Sequence, residues 1–288
     1  MKPQLSFYAL AGLGALAALL FALERKVPLR PLRSALSRRV MINLGISALA
    51  FGAAAISVQP AASATLGWVV EANFGLLRVL AAPPLISGVL AFVLMDLSFY
   101  YWHQLNHRVP LLWRFHNVHH VDPDLDVSTA FRFHFGEIAL SAGFRVVQVS
   151  IIGPSLGVYL VYELALQANT LFHHGNLRLP VRVERALNLL LVTPRMHGIH
   201  HSQVLSESRS NYGVVFPWWD RLHRTLRLNV PQSQVSIGIA GYSRADDNGF
   251  GRALALPFRR QRDYWAGPDG TRARRAALAD ERRTRMAE

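Results

Sequence analysis

An uninterrupted apolar run over residues 5–23 constrains this chain more than any other feature. At 1.5 Å rise per residue it reaches about 28 Å as a helix, enough to cross the hydrocarbon core of a bilayer. Backbone polar groups in lipid must be satisfied internally, so a chain with such runs builds from helices or closed barrels. The run ends in Glu24-Arg25-Lys26 with no small-residue cleavage site, which predicts a retained span rather than a secretory signal. A second span is predicted over residues 41–58 and a third over residues 85–102. Between them, residues 59–84 are mixed and close at Pro83-Pro84. Two further apolar segments, 138–152 and 155–172, flank Gly153-Pro154, and the first carries Arg145. Each is short for a full crossing and predicts a tight helical hairpin or a re-entrant pair. From Pro180 the chain reads as soluble or interfacial, and the last forty or so residues as a loosely held tail. The expected fold is all-α: membrane-spanning helices under a cytoplasmic helical cap. It divides into N-terminal spans and linker (1–84), a histidine-bearing region (85–229) and a basic tail (230–288).

Charge sets the orientation. The chain is 51% hydrophobic, 17% charged and carries a formal +13. One basic patch is Arg25, Lys26, Arg30, Arg33, Arg38 and Arg39. The other is the tail, from Arg259 and Arg260 through Arg274 and Arg275 to Arg282, Arg283 and Arg285. Lys and Arg beside apolar spans mark loops facing anionic cytoplasmic lipid rather than a nucleic-acid surface. The loop after the first span is therefore expected in the cytoplasm. Span two leaves, span three returns, and the residues after Trp102 land on the cytoplasmic side. The chain has no cysteine, which excludes disulfides, iron–sulfur clusters and thiolate metal sites.

Histidines begin directly after Trp102. Of 12 histidines, eight form three clusters: His103 and His107 (H-x-x-x-H), His116, His119 and His120 (H-x-x-H-H), and His197, His200 and His201 (H-x-x-H-H again). Residues three and four apart share a helix face, so each cluster aims its rings one way. Helix is expected at each. Pro110 suits a first turn, Asp122-Pro123 a stop, and Thr193-Pro194 an N-cap followed by the first helical position. Eight imidazoles on converging faces would repel if protonated and waste desolvation if neutral, unless metal holds them. One ion takes four to six ligands, so two metals are predicted. Asn169 and His173 share a face at i, i+4 and extend the candidate set; His174 points elsewhere on that helix and ranks below them. His134 and Glu137, in the run RFHFGE, are candidates to bind metal or to hold a ligand ring. Asp96 falls on the stripe of Tyr100, His103 and His107. Being costly inside an apolar span, it is expected to hydrogen-bond a ligand imidazole. His223 reads as a surface histidine.

In the runs HQLNH, RFHNVHH, FRFHFGE, NTLFHHGN, TPRMHGIHHS, NYG and WWDRL, the sequence resembles the fatty acid hydroxylase/sterol desaturase superfamily, sterol desaturase-like branch, over about residues 90–229. The resemblance implies a non-haem di-iron centre with His103, His107, His116, His119, His120, His197, His200 and His201 as ligands, joined by His173. It also implies O2-dependent hydroxylation or desaturation of a lipid C–H bond. Phe135 stands where the family often has proline, and His223-Arg224 replaces an aromatic-glycine pair; neither departure touches a histidine cluster. No dinucleotide fingerprint is present, since Gly12-Leu13-Gly14 lies in a span, so electrons are expected from a separate donor. The competing readings are a membrane zinc hydrolase, which lacks its H-E-x-x-H here, a bis-histidine haem carrier, and a metal- or lipid-binding protein without catalysis.

Overall fold

The structure is a computed structural model, and it describes residues 3–275. Among these there is no β-strand, only isolated bridges such as Pro28 with Leu177. Five long helices run alternately up and down. Helix α1 (Pro3–Lys26) is followed by α2 (Leu36–Ala53) and α3 (Gln59–Glu71), joined by one wide π turn over Ala54–Val58. Pro60 explains that turn. Proline lacks an N–H and its ring collides with the carbonyl four residues back, so the helix widens rather than breaks. The expected second span and the first half of the mixed stretch after it are thus one continuous helix. A short α4 (Leu76–Leu80) leads to α5 (Pro84–Arg108), and α6 (Pro110–His120) turns off it at once.

Helices α7 (Phe135–Ile152) and α8 (Leu156–His174) form the expected hairpin about Gly153, but it is longer than the apolar run predicted. His134 caps α7 by accepting from the Gly136 N–H at 2.9 Å, which starts the helix three residues early. Gly153 adopts φ +70°, and a Cβ on Gly75 (φ +107°) would lie 2.7 Å from its Cα. Only glycine at both positions allows this crossing.

Four stretches are long and apolar enough to cross a membrane: Tyr8–Lys26, Leu36–Leu80, Pro84–Arg108 and Phe135–Ile152. Their outer faces carry large exposed apolar side chains, including Ile56, Leu85 and Ile151. Inside, Val69, Ala91, Met95, Val149 and Tyr162 form the main core between α3, α5, α7 and α8. All five long helices bring one end to the same place: Arg25, Arg39, His107, Glu137 and His174 each contact the segment 116–126 or its histidines.

The cap at that end holds α9 (Val181–Leu187), α10 (Pro194–His200), α11 (Leu205–Ser208), α12 (Trp218–Leu222) and α13 (Phe250–Ala255). Up to residue 275 the C-terminal segment is held at single anchors rather than loose throughout, although residues 268–274 are exposed. Trp265 stacks on Trp113 at 6.0 Å, and Arg275 donates two 2.8 Å bonds to Glu207. Arg282, Arg283 and Arg285 lie outside the described residues.

Candidate metal centre

Nine imidazoles meet at this capped end (the box end, after its histidine clusters) in two adjacent groups. His103, His107, His116, His120 and His200 form the first; His119, His174, His197 and His201 form the second. Within each group the ligand-capable atoms lie within 4.8 Å of one another. Every local element contributes for a visible reason. One turn separates His103 from His107 on α5. The immediate reversal at Val109-Pro110 folds α6 back over them, so His116 and His120 face the first group while His119 faces the second. Thr193 and Pro194 start α10, which splits its histidines the same way: His200 to the first group, His197 and His201 to the second.

The ring nitrogens sort cleanly. His103 Nδ1 donates to the Tyr212 carbonyl (2.9 Å) and His200 Nδ1 to the Ser210 carbonyl (2.8 Å), while His116 Nδ1 meets Glu137 Oε1 at 2.8 Å. Such outer bonds fix the tautomer and leave Nε2 with a free lone pair. Nε2 of His107, His116, His120 and His200 is buried with no hydrogen-bond partner. In the second group His174 Nδ1 donates to the Thr170 carbonyl at 2.8 Å. The Nε2 atoms of His119, His174, His197 and His201 face one another at 3.0–3.1 Å. Nitrogens 2.0–2.1 Å from one tetrahedral ion would be about 3.3 Å apart. Converging, partnerless or lone-pair-to-lone-pair nitrogens in a dry interior are costly without a cation. The residues therefore fit two metal ions of the kind imidazole prefers, such as iron or zinc.

His119, His120, His197, His200 and His201 have pKa values pushed well below the ordinary 6.5, by burial first and by neighbouring imidazoles next. At neutral pH they are uncharged, as ligands must be.

The fatty acid hydroxylase family model matches residues 88–225. Residues 88–225 belong to that family. Within this family domain lie both imidazole groups. An ornithine lipid hydroxylase, OlsE, of Rhizobium tropici is 33% identical over 179 residues, covering 62% of this chain and 52% of the relative. Alkylglycerol monooxygenase of Homo sapiens is 31% identical over 135 residues, 47% of this chain and 29% of its own length. Cholesterol 25-hydroxylase of Homo sapiens is 27% identical over 138 residues, 47% of this chain and 49% of its own length. The chain thus spans about half or less of the relatives it matches. No solved structure gives a significant match.

Around the family domain's two groups, the remaining candidates divide. The order expected on α8 is reversed: His174 joins the second group, whereas His173 packs tilted against His197, ring centroids 4.1 Å apart, and stays outside. The i, i+4 pairing placed Asn169 and His173 on one face correctly, since Asn169 Nδ2 lies 3.3 Å from His173 Nδ1. That face, however, meets the Val214 carbonyl, which accepts from Asn169 Nδ2 at 2.6 Å. Glu137 holds His116. His134 uses both ring nitrogens elsewhere, accepting at Gly136 and donating to the Leu254 carbonyl at 3.1 Å. Asp96 bonds no histidine, contrary to expectation. Fully buried, it accepts from Trp219 Nε1 (2.8 Å), Phe216 N–H (3.1 Å) and Val215 N–H (3.2 Å), and so ties the segment 215–219 to α5. His223 is half-buried rather than free: it stacks on Tyr100 and bonds Tyr101.

Sequence reasoning missed the carbonyls of Thr170, Ser210 and Tyr212, because a backbone acceptor leaves no trace in residue identity. It also missed Gly198, where Arg30 lies so close that no Cβ would fit. Asp220 was within reach, since it stands in the WWDRL run. It accepts from Tyr212 and Gly213 N–H at 2.9 and 2.7 Å, which sets the Tyr212 carbonyl that holds His103.

Proposed function

We propose that the chain is a membrane-embedded, non-haem di-iron oxygenase that hydroxylates an unactivated C–H bond of a lipid. One observation carries this reading: two adjacent groups of imidazoles, five and four, all but His103 buried, with their ligand nitrogens turned inward. Bound iron would supply O2 activation at this site, chemistry that zinc, with no redox states, cannot supply. Hydroxylation consumes one O2, two electrons and two protons per C–H bond and releases one water. The electrons come from outside, from a separate reductase or carrier protein. The relatives' names point the same way: ornithine lipid, alkylglycerol and cholesterol are all lipids.

The chain's own residues have three tasks. Glu137 and the carbonyls of Thr170, Ser210 and Tyr212 hold rings in register. Phe133, stacked on His119 at 4.6 Å, and Trp113, 4.9 Å from His107, keep water from the ligand atoms. The apolar helices support a site at the bilayer edge. A zinc hydrolase is the poorer reading, because the sequence lacks the H-E-x-x-H motif and Glu137 Oε1 is engaged with His116 Nδ1.

The metal groups lie on the cytoplasmic side, since Arg25, Arg30 and Arg39 sit at the box end. A reporter placed at Asn73, in the turn after α3, should read external; a cytoplasmic reading would reverse this orientation. Purified full-length protein should contain two iron equivalents per chain and take up O2 with a reductant and lipid. Haem or a single metal per chain, or two irons with no O2 uptake either on lipids of the three relatives' classes or on anionic phospholipids, would refute the oxygenase reading.

A further inference from the structure

A cavity of about 450 Å³ opens beside the box end, between the start of α2, the turn after α6 and the segment 237–248. Five arginines line it: Arg33, Arg38, Arg39, Arg132 and Arg244. No Asp or Glu of the described residues does.

The five are not equivalent. Arg39 pairs with Asp122 at 3.0 Å and with Asp126, so its charge is offset. Arg132 is fully buried and donates to the Val118 carbonyl, Asn43 and Asn248 at 2.9, 2.6 and 3.1 Å. These two build a rigid floor. Asp124 fixes the rim by accepting from the Arg33 and Ser34 N–H groups at 2.8 and 2.9 Å. Arg33, Arg38 and Arg244 form no ion pair among the described residues, and their exposed side chains border the opening. Three uncompensated guanidiniums around a preformed cavity suit an oxyanion, which they can grip through paired N–H bonds.

Its depth is set by α2. That helix belongs to an apolar stretch long enough to cross a membrane, and Met41 and Leu44, just past Arg39, are 69% and 56% exposed. Arginines in the first turn followed by bare apolar side chains place the opening at the membrane–water boundary, where lipid headgroups lie. The inner wall includes Val121, the residue after His120, and Gln203, two residues after His201.

We infer that this cavity binds the phosphate-bearing headgroup of an anionic membrane lipid. Resting on the oxygenase reading above, it also makes anionic lipids, rather than neutral diols or sterols, the substrate class of the site.

The binding arm uses metal-free full-length protein in detergent, titrated calorimetrically with dihexanoylphosphatidylglycerol, dihexanoylglycerol and inorganic phosphate. The phosphatidylglycerol should bind more tightly than either other probe. Arg38→Ala/Arg244→Ala should weaken it about 30-fold, at roughly 1 kcal/mol per arginine near a charged lipid. Arg38→Lys/Arg244→Lys should restore part of the loss. Arg182→Ala/Arg185→Ala, which removes the same charge from exposed α9 positions, should bind like the parent. Four results would overturn the site: equal binding of dihexanoylglycerol, inorganic phosphate binding as tightly as the lipid, a double alanine variant within twofold of the parent, or an equal loss in the α9 control. Because no metal is needed, failure here leaves the iron and O2 measurements untouched, and failure of those leaves this binding intact.

Discussion

The two imidazole groups are built differently. In the first, three outer nitrogens are tied down, those of His103, His116 and His200, one of them to a carboxylate. In the second, the tied ring is His174; Nδ1 of His119, His197 and His201 is buried without a partner. The first group is held by hydrogen bonds, the second mainly by packing, including Phe133 on His119. Outer bonds both orient a ligand ring and raise its basicity. The groups should therefore hold metal with unequal strength, although their inner nitrogens look alike.

Removing a ligand should give the largest effect. His200→Ala should empty the first site and His174→Ala the second, each leaving about one metal equivalent per chain and no detectable turnover. The pair His173→Ala and His174→Ala tests the sorting directly. Metal analysis should show loss for His174→Ala and near-full content for His173→Ala; the opposite pattern would return His173 to the ligand set.

Next in size is Glu137. Glu137→Ala should weaken the first site by about 10–100-fold, the usual cost of losing an outer partner. In the parent protein a chelator titration should strip the second site first. In Glu137→Ala the order should approach equality or invert. Simultaneous loss of both metals from the parent would erase the proposed difference.

Acid should expose the same contrast more gently. His119, His197 and His201 have no outer acceptor to stabilise a proton, whereas the Ser210 carbonyl partly favours the proton on His200. All four values lie below the ordinary 6.5, so the unfolded chain takes up protons first as pH falls. Stability is then fully present above about pH 6.5 and is lost as pH drops toward the depressed folded values. Urea midpoints of metal-free protein should be flat from pH 8 to 7 and decline below 6.5. Bound metal should move that decline to lower pH. A midpoint that rises on acidification would mean the rings are charged in the fold.

Much of this was legible in the sequence because the signals were periodic. Apolar runs fixed the spans, and i, i+3, i+4 spacing fixed which rings share a face. Periodicity failed where tertiary contacts decide. Either His173 or His174 could have faced inward from α8, and only the crossing of α8 with α10 selects His174. Asp96 lay on the histidine stripe of α5, but a stripe of about 60° does not say how far along the helix a partner sits. The C-terminal segment had no period at all; single anchors, Trp265 on Trp113 and Arg275 on Glu207, hold it.

The smallest effects test the boundary of the site rather than its centre. Asp96→Asn would set an amide N–H₂ against donors from Phe216 and Trp219, so it should cost about 1–3 kcal/mol of stability. Metal content should stay at two equivalents, because no ligand ring touches Asp96. His223→Ala should cost less still. It removes a partly solvated bond from Tyr101 and a ring stacked on Tyr100, and water can replace the bond at that half-exposed position. A loss of at most about 1 kcal/mol is expected, with metal content and turnover near those of the parent. The two variants thus rank by burial, with neither reaching the metals. If His223→Ala lost metal as His200→Ala does, at equal protein levels, the centre would extend along α5 to Tyr100, and the division between rings that hold metal and rings that hold the fold would have to be redrawn.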